Sequence, residues 1–298
     1  MDNPMHASLG DASGQRADLA PAPVSTHPSY LRVFLTFARN SLVRDMTFRM
    51  NFVIECITSM SWMAMNLGYY LLIFQFTTTI GQNSGWGKYE FLVFLSTTLF
   101  INSLVQALFM PNCEEFSELI RTGGLDFALL KPIDTQFLVS LAKINWSSFS
   151  NFLFAAGLLA FALVKLEHRP SVPQVLLYPI YVACGVAIMY SLMITLSATS
   201  VWLGRNQTLY EFWFYITNFS RYPMEIYNGS IGSPLRLVFT YLLPLLVVVN
   251  VPARLMAMPL QAQSWPLVAF TLVATAASLA VSRYIFRQAM LSYRSASS

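Results

Sequence analysis

Residues Leu119–Asp134 read LIRTGGLDFALLKPID, and their place in the chain decides the fold. The stretch carries two adjacent glycines, a proline and four charged residues. It follows the apolar run Tyr89–Met110 and precedes the apolar run Ile144–Val164. Each run supplies about 20 or more largely apolar residues, enough to cross ~30 Å of hydrocarbon as a helix. The charged stretch therefore belongs in water or at a membrane surface, between two crossings.

Comparable runs are Met50–Phe74, Val175–Leu203 and Ser264–Phe286. Between Arg205 and Met258 lie two more apolar stretches, Thr208–Phe219 and Leu237–Val251. Pro244 and Pro252 call for a broken helix in the second, because proline removes a backbone donor and clashes with the preceding turn. Either stretch can be the fifth span (208–222 or 235–252), with the other interfacial or re-entrant. The expected fold is all-α, a polytopic membrane protein of six transmembrane helices.

Composition agrees. The chain is 55% hydrophobic and 11% charged, with a mean hydropathy of +0.52, against about 25% charged in soluble domains. The net charge of +4 is small, and most basic residues flank apolar runs. That distribution excludes nucleic acid as a partner and fits the positive-inside rule. With six spans, one side collects Arg16, Arg32, Arg39, Arg44, Arg49, Arg121, Lys131, Lys143, Arg205, Arg283, Arg287 and Arg294. The other side securely holds Lys88, Lys165 and Arg169. Both termini and Leu119–Asp134 are thus expected in the cytoplasm.

Residues 1–28 are rich in Pro, Ser and Ala without an apolar core, and read as a disordered cytoplasmic tail. In Tyr30–Met46, Leu31, Phe34, Leu35, Ala38 and Leu42 recur at helical spacing, with Arg32 and Arg39 off the stripe. This predicts an amphipathic helix at the membrane surface over residues 30–46.

Cys56, Cys113 and Cys184 are widely spaced and form no metal or disulfide pattern. No metal or cofactor is expected. The nearest approach to a phosphate-binding loop is Gly81–Tyr89, GQNSGWGKY, which has the wrong glycine spacing and Tyr89 after Lys88. The chain is therefore not expected to be an enzyme, and its energy must come from another subunit or an ion gradient.

Polar residues line single faces of several spans. Asn51, Glu55, Ser59 and Asn66 share a stripe in the first; Asn102 and Gln106 follow Thr98 in the second. The fourth has Ser191, Thr195 and Thr199, and the last has Thr271, Thr275, Ser278 and Ser282. Lipid satisfies neither amides nor hydroxyls, so these stripes are expected to face other helices or a wet cavity. Glu55 is a carboxylate inside an apolar run and is a functional candidate by that fact. It can serve as a structural partner for an arginine or as the site of an ion-coupled secondary transporter.

In NCEEFSELIRTGG (Asn112–Gly124), Asn112 can cap a helix with Glu115 completing a capping box. Cys113, Phe116, Leu119 and Ile120 form an apolar stripe, and Glu114, Glu115 and Glu118 suit the first turns of a helix. Gly123 and Gly124 end that helix. LDFALLKP then makes a second short element stopped by Pro132. Such an element either lies on lipid or docks a cytoplasmic partner through Phe116, Leu119 and Leu125.

An amphipathic N-terminal helix, six spans and RTGGLDFALLKPID after the second span resemble the permeases of the ABC type-2 exporter family. NFSRYPMEIYNG (Asn218–Gly229), LPLLVVVNVPARLM (Leu243–Met256) and the ending YRSASS add to the likeness, which covers about residues 30–298, within a transmembrane domain expected over 29–298. It implies that residues 112–134 form the coupling segment for a separate ABC ATPase subunit. Glu114, Glu115, Phe116, Glu118, Leu119, Arg121, Gly123, Gly124, Leu125, Asp126, Lys131 and Pro132 would make that contact. It further implies a second permease copy, membrane lipids as partners, the inner membrane as location, and a re-entrant piece at Leu237–Val251. Asn51, Glu55, Ser59, Asn66, Asn102 and Gln106 are the translocation-path candidates, for an amphiphilic or lipid-linked substrate.

Overall fold

The computed structural model describes residues 29–81, 84–203 and 214–294, so the N-terminal tail and the start of the Thr208–Phe219 stretch lie outside it. The described residues form helices and turns with no strand. In chain order the helices are α1 (Tyr30–Thr47), α2 (Arg49–Phe76), α3 (Lys88–Leu108), α4 (Met110–Thr122), α5 (Gly124–Leu129) and α6 (Thr135–Leu141). They continue with α7 (Phe149–Lys165), α8 (Val172–Ala198), α9 (Ser200–Leu203), α10 (Gly229–Leu237), α11 (Leu245–Ala257) and α12 (Trp265–Ser292).

Among the described residues, four helical segments are long and apolar enough to cross a membrane: Lys88–Thr122, Trp146–Lys165, Val172–Leu203 and Trp265–Ser292. A fifth candidate is a bent pair, Gly229–Leu242 followed by Leu245–Ala257, with 86° between its arms. α2 is 28 residues long, about 42 Å at 1.5 Å per residue, but its polar stripe dilutes its hydropathy. The described part of 208–222 is a helical turn at 214–217 that tightens into Asn218–Arg221.

α3 and α11 are the core. Phe91, Val93, Phe94 and Ile101 of α3 are fully buried, and every residue of α11 except Arg254 is buried. α3 packs on α7, α8 and α11; α8 packs on α11 and α12; α2 lies outside against α7. One close approach fixes this arrangement. Pro252 has no N–H, so the Val248 carbonyl four residues earlier loses its helical donor. That carbonyl faces Gly185 of α8, where a Cβ would lie 2.8 Å from it. Glycine lets the two backbones meet, the device by which small residues bring membrane helices together.

The bend before α11 follows from its sequence. A π-turn at Val238–Leu242 ends at Leu243, and Pro244 begins the next arm. At the end of the bundle where α3 begins, called the upper end below, side-chain amides satisfy the last carbonyls of α11. Gln174 Nε2, wholly buried, donates to Leu255 O and Met258 O at 2.7 Å each, and Gln263 Nε2 donates to Arg254 O at 3.0 Å. Such carbonyls have no helical donor of their own. Nearby, Trp86 Nε1 donates to Glu225 Oε2 at 2.9 Å, and Arg254 pairs with Glu225 Oε1.

One expectation holds and one changes. The hydroxyl stripes of α8 and α12 face the bundle, with Ser191, Thr271 and Ser282 buried, while their hydroxyls bond within their own helices: Thr195 donates to Ser191 O at 2.7 Å and Thr275 to Thr271 O at 2.7 Å. A Ser or Thr hydroxyl reaches its own helix's i−4 carbonyl, so it needs no neighbour. Asn112 is not a cap. The helix begins earlier, at Met110 with Pro111 in its first turn, and Asn112 lies inside it, 3% exposed.

Candidate functional site

The lower end of the bundle presents the segment from α4 to α6. Asn112 fastens its beginning: Nδ2 donates to Leu108 O at 2.8 Å and Lys143 O at 2.7 Å, and Oδ1 accepts from Lys143 N at 2.8 Å. Lys143 Nζ reaches Glu115 at 2.7 Å. Gly123 turns the chain in the left-handed region, φ 72°, and α5 follows at once. Asp134 caps α6 by accepting from Phe137 N at 3.0 Å.

Asp134 also binds Arg283 of α12 through both guanidinium nitrogens, Nη1 at 3.0 Å to Oδ1 and Nη2 to Oδ2. Hydrogen bonding from Arg283 holds the Asp134 carboxyl below its ordinary range, against a smaller opposing effect of burial. Arg283 Nη1 also donates to Gln136 Oε1 at 2.9 Å, and Gln136 Nε2 donates to Tyr190 OH at 2.9 Å. The segment is therefore pinned at both ends, to the loop before α7 and to α8 and α12.

Its apolar residues divide in two. Phe116 and Leu125 are fully buried, Phe116 with its ring 5.7 Å from Phe286, and Leu119 is partly covered. Phe116 and Leu125 hold the segment to its own bundle and are not free to act as knobs for a partner, whereas Leu119 stays partly open. An apolar stripe on a short helix gives the spacing but not the neighbour it faces. The residues that do project are Phe127 (74% exposed), Leu130 (81%), Lys131 and Pro132, flanked by Glu114, Glu118 and Arg121. Arg121 Nε donates to Glu118 at 2.8 Å. Asp126 is partly covered at the start of α5, and Gly124 lies close under Leu119.

A second feature is a cleft of about 120 Å³ between α2, α3, α7 and the turn at Arg221. It brings together Ser59, Asn66, Asn102 and Gln106. Asn51 and Glu55 stay outside it: Asn51 Nδ2 donates to Glu55 Oε1 at 2.6 Å on an exposed face. Glu55 thus has an amide partner rather than the arginine expected of a structural ion pair. The sequence reading missed Asn151, which donates to Ser59 Oγ at 2.7 Å, and Arg221. An amide in the apolar run SFSNFLF was the available signal for Asn151; Arg221 was hidden in the ambiguous region.

A helical bundle with several long apolar helices and a pinned, charged segment at one end is the architecture of a multi-pass membrane transport domain. The family model for ABC-2 family transporter proteins matches residues 60–297, and the chain belongs to that family. It is the membrane permease of an ABC transporter, and membership implies partnership with an ABC ATPase subunit. No curated protein and no solved structure matches the chain.

Proposed function

We propose that the chain is the permease subunit of an ATP-driven exporter, paired with a second permease copy and moving an amphiphilic or lipid-linked substrate across the inner membrane. Six spans carry it: α2, α3, α7, α8, the stretch 208–222 and α12, with α1 on the cytoplasmic surface and α10–α11 as a re-entrant hairpin. Both termini and the α4–α6 segment face the cytoplasm. Two features support the hairpin: the 86° bend at Leu243–Pro244, and the tie between the far end of α11 and the first turn of α8.

The observation that carries this reading is the segment pinned by Asn112 and Asp134 while Phe127 and Leu130 stay bare. Rigid anchorage at both ends lets force on the tip reach α8 and α12. Two large apolar side chains beside Lys131 suit a groove on a separate ATPase. Exchanging Phe127 and Leu130 for Asp should abolish co-purification with that ATPase while membrane insertion stays normal. Undiminished association of the double variant would remove the docking assignment.

A further inference from the structure

The cleft beside α2 and α3 has three properties that packing alone does not require. First, it is lined by amides: Asn66, Asn102, Gln106 and Asn151 meet there. Second, Asn151 is 2% exposed, gives its Nδ2 to Ser59 and leaves Oδ1 without a partner. A buried carbonyl left unpaired costs about 1–3 kcal/mol, so an orphan on a residue that lines a cavity calls for a donor. Third, Arg221 lines the same cleft with no carboxylate paired to it among the described residues; the Phe214 ring lies 5.6 Å from its guanidinium.

Depth makes the arginine notable. Arg221 shares the cleft with Leu95 and Tyr70, and Leu95 lies about 10 Å along α3 from its start at Lys88. On the proposed topology that is inside the membrane, where a cation is costly and marks a functional site. The lane then runs down α3 from Leu95 to Gln106, about 16 Å, past one amide after another. The surface offers one positive charge and many neutral hydrogen-bonding groups, beside apolar Trp62, Met63 and Leu99.

We propose that this cleft binds the polar head of an anionic, hydroxyl-bearing amphiphile. Arg221 meets the anion, Asn151 Oδ1 accepts from a hydroxyl, and Asn66, Asn102 and Gln106 replace the water that the head loses. The apolar residues keep company with its chain. The proposal rests on the permease reading and gives its substrate a chemical class. A soluble phosphate ester carries the same chemistry as a lipid head, so the test separates them.

The full-length chain, purified in detergent, is exposed to a short-chain phosphatidylglycerol bearing a photoreactive acyl chain. The choline analogue serves as a control, and the labelled peptides are mapped by mass spectrometry. Labelling of 59–70 and 95–106 by the glycerol lipid, at least tenfold above the choline lipid, supports the proposal. It should fall tenfold or more in Arg221→Gln and severalfold in Asn151→Leu, with unchanged thermal melting. Competition by glycerol phosphate as effective as by the lipid keeps the anion site but assigns it to a soluble anion. Equal labelling by the two lipids, or by wild type and a folded Arg221→Gln variant, overturns the proposal. Because the assay needs no ATPase, such a failure leaves the permease reading intact, and loss of ATPase association leaves this site intact.

Discussion

Asp134 and Arg283 stand 149 residues apart in sequence and grip each other through two parallel hydrogen bonds at the lower end of the bundle. The pair joins the end of the α4–α6 segment to the last helix. It is partly exposed, so removing it should cost no more than about 0.5–1 kcal/mol of stability. Its larger effect should be on transport. Asp134→Asn and Arg283→Gln should each lower ATP-driven transport severalfold while ATPase binding persists, and the exchanged pair Asp134→Arg with Arg283→Asp should recover part of it. Transport at wild-type levels in both single variants would show that α12 takes no force from the segment.

The same pair has a defined pH dependence. Its carboxyl is held below the ordinary range by Arg283, so its contribution is complete above the unfolded carboxylate pKa, about 3.9. It is lost only as pH falls through the still lower folded value. The melting difference between wild type and Asp134→Asn should therefore stay constant from about pH 8 to about pH 5 and shrink below about pH 4. A difference already fading near about pH 6 would place the carboxylate in another environment.

Asn112 is the other anchor, and the cost of losing it should be larger because it is buried. Asn112→Leu leaves Lys143 N, Lys143 O and Leu108 O without their side-chain partner. Destabilisation of about 2–4 kcal/mol is expected, measured by thermal unfolding in detergent. A loss below about 0.5 kcal/mol would mean that water replaces the amide freely.

How far the sequence reaches is clear from these anchors. Apolar length located the long helices, because the demand for about 20 apolar residues leaves little choice. Gly123 and Gly124 were legible as a helix end, and Gly123 takes the left-handed conformation. Asn112 was misread because a capping amide and an amide clasping another segment have the same residue type; only its distant partner, Lys143, separates the roles. Phe116 and Leu125 were misassigned for a related reason, since burial, for Phe116 against Phe286 of α12, is a property of the fold and not of the stripe. The cleft was half visible: five of its amides and hydroxyls lay on readable stripes, while Asn151 and Arg221 arrive from other elements.

Gly185 tests the packing of α8 against the broken helix α11. A methyl group there would meet Val248 O at 2.8 Å and the Ile101 Cδ1 atom at 3.0 Å. The first is backbone in a buried helix and cannot turn aside. Gly185→Ala should destabilise by about 1–3 kcal/mol despite its better helix propensity, and Gly185→Leu should prevent stable folding. By contrast, Gly157→Ala meets nothing within 4 Å and should be neutral or slightly stabilising. Equal melting of the two Ala variants would show that α8 and α11 can separate without penalty.

At the upper end, Glu225 joins three segments that are distant in sequence. It accepts from Trp86 Nε1 and pairs with Arg254, and its neighbour Met224 donates its N–H to Asn250 Oδ1 at 2.8 Å. Glu225 and Arg254 are 14% and 23% exposed in their side chains, so neither is freely hydrated. Removing one partner leaves the other charge stranded, which costs more than removing both. Glu225→Gln and Arg254→Met should each destabilise by about 2–4 kcal/mol, whereas the double variant Glu225→Leu with Arg254→Met should recover at least half of that loss. Trp86→Phe, which deletes its hydrogen bond to Glu225 and leaves a gap where the wholly buried indole packs on Phe94, should cost about 2–3 kcal/mol. Thermal unfolding of the four variants in detergent decides the matter. A double variant as damaged as the sum of the singles would mean that the two charges act independently, and that the ties from Gln174 and Asn250 alone hold α11 in place.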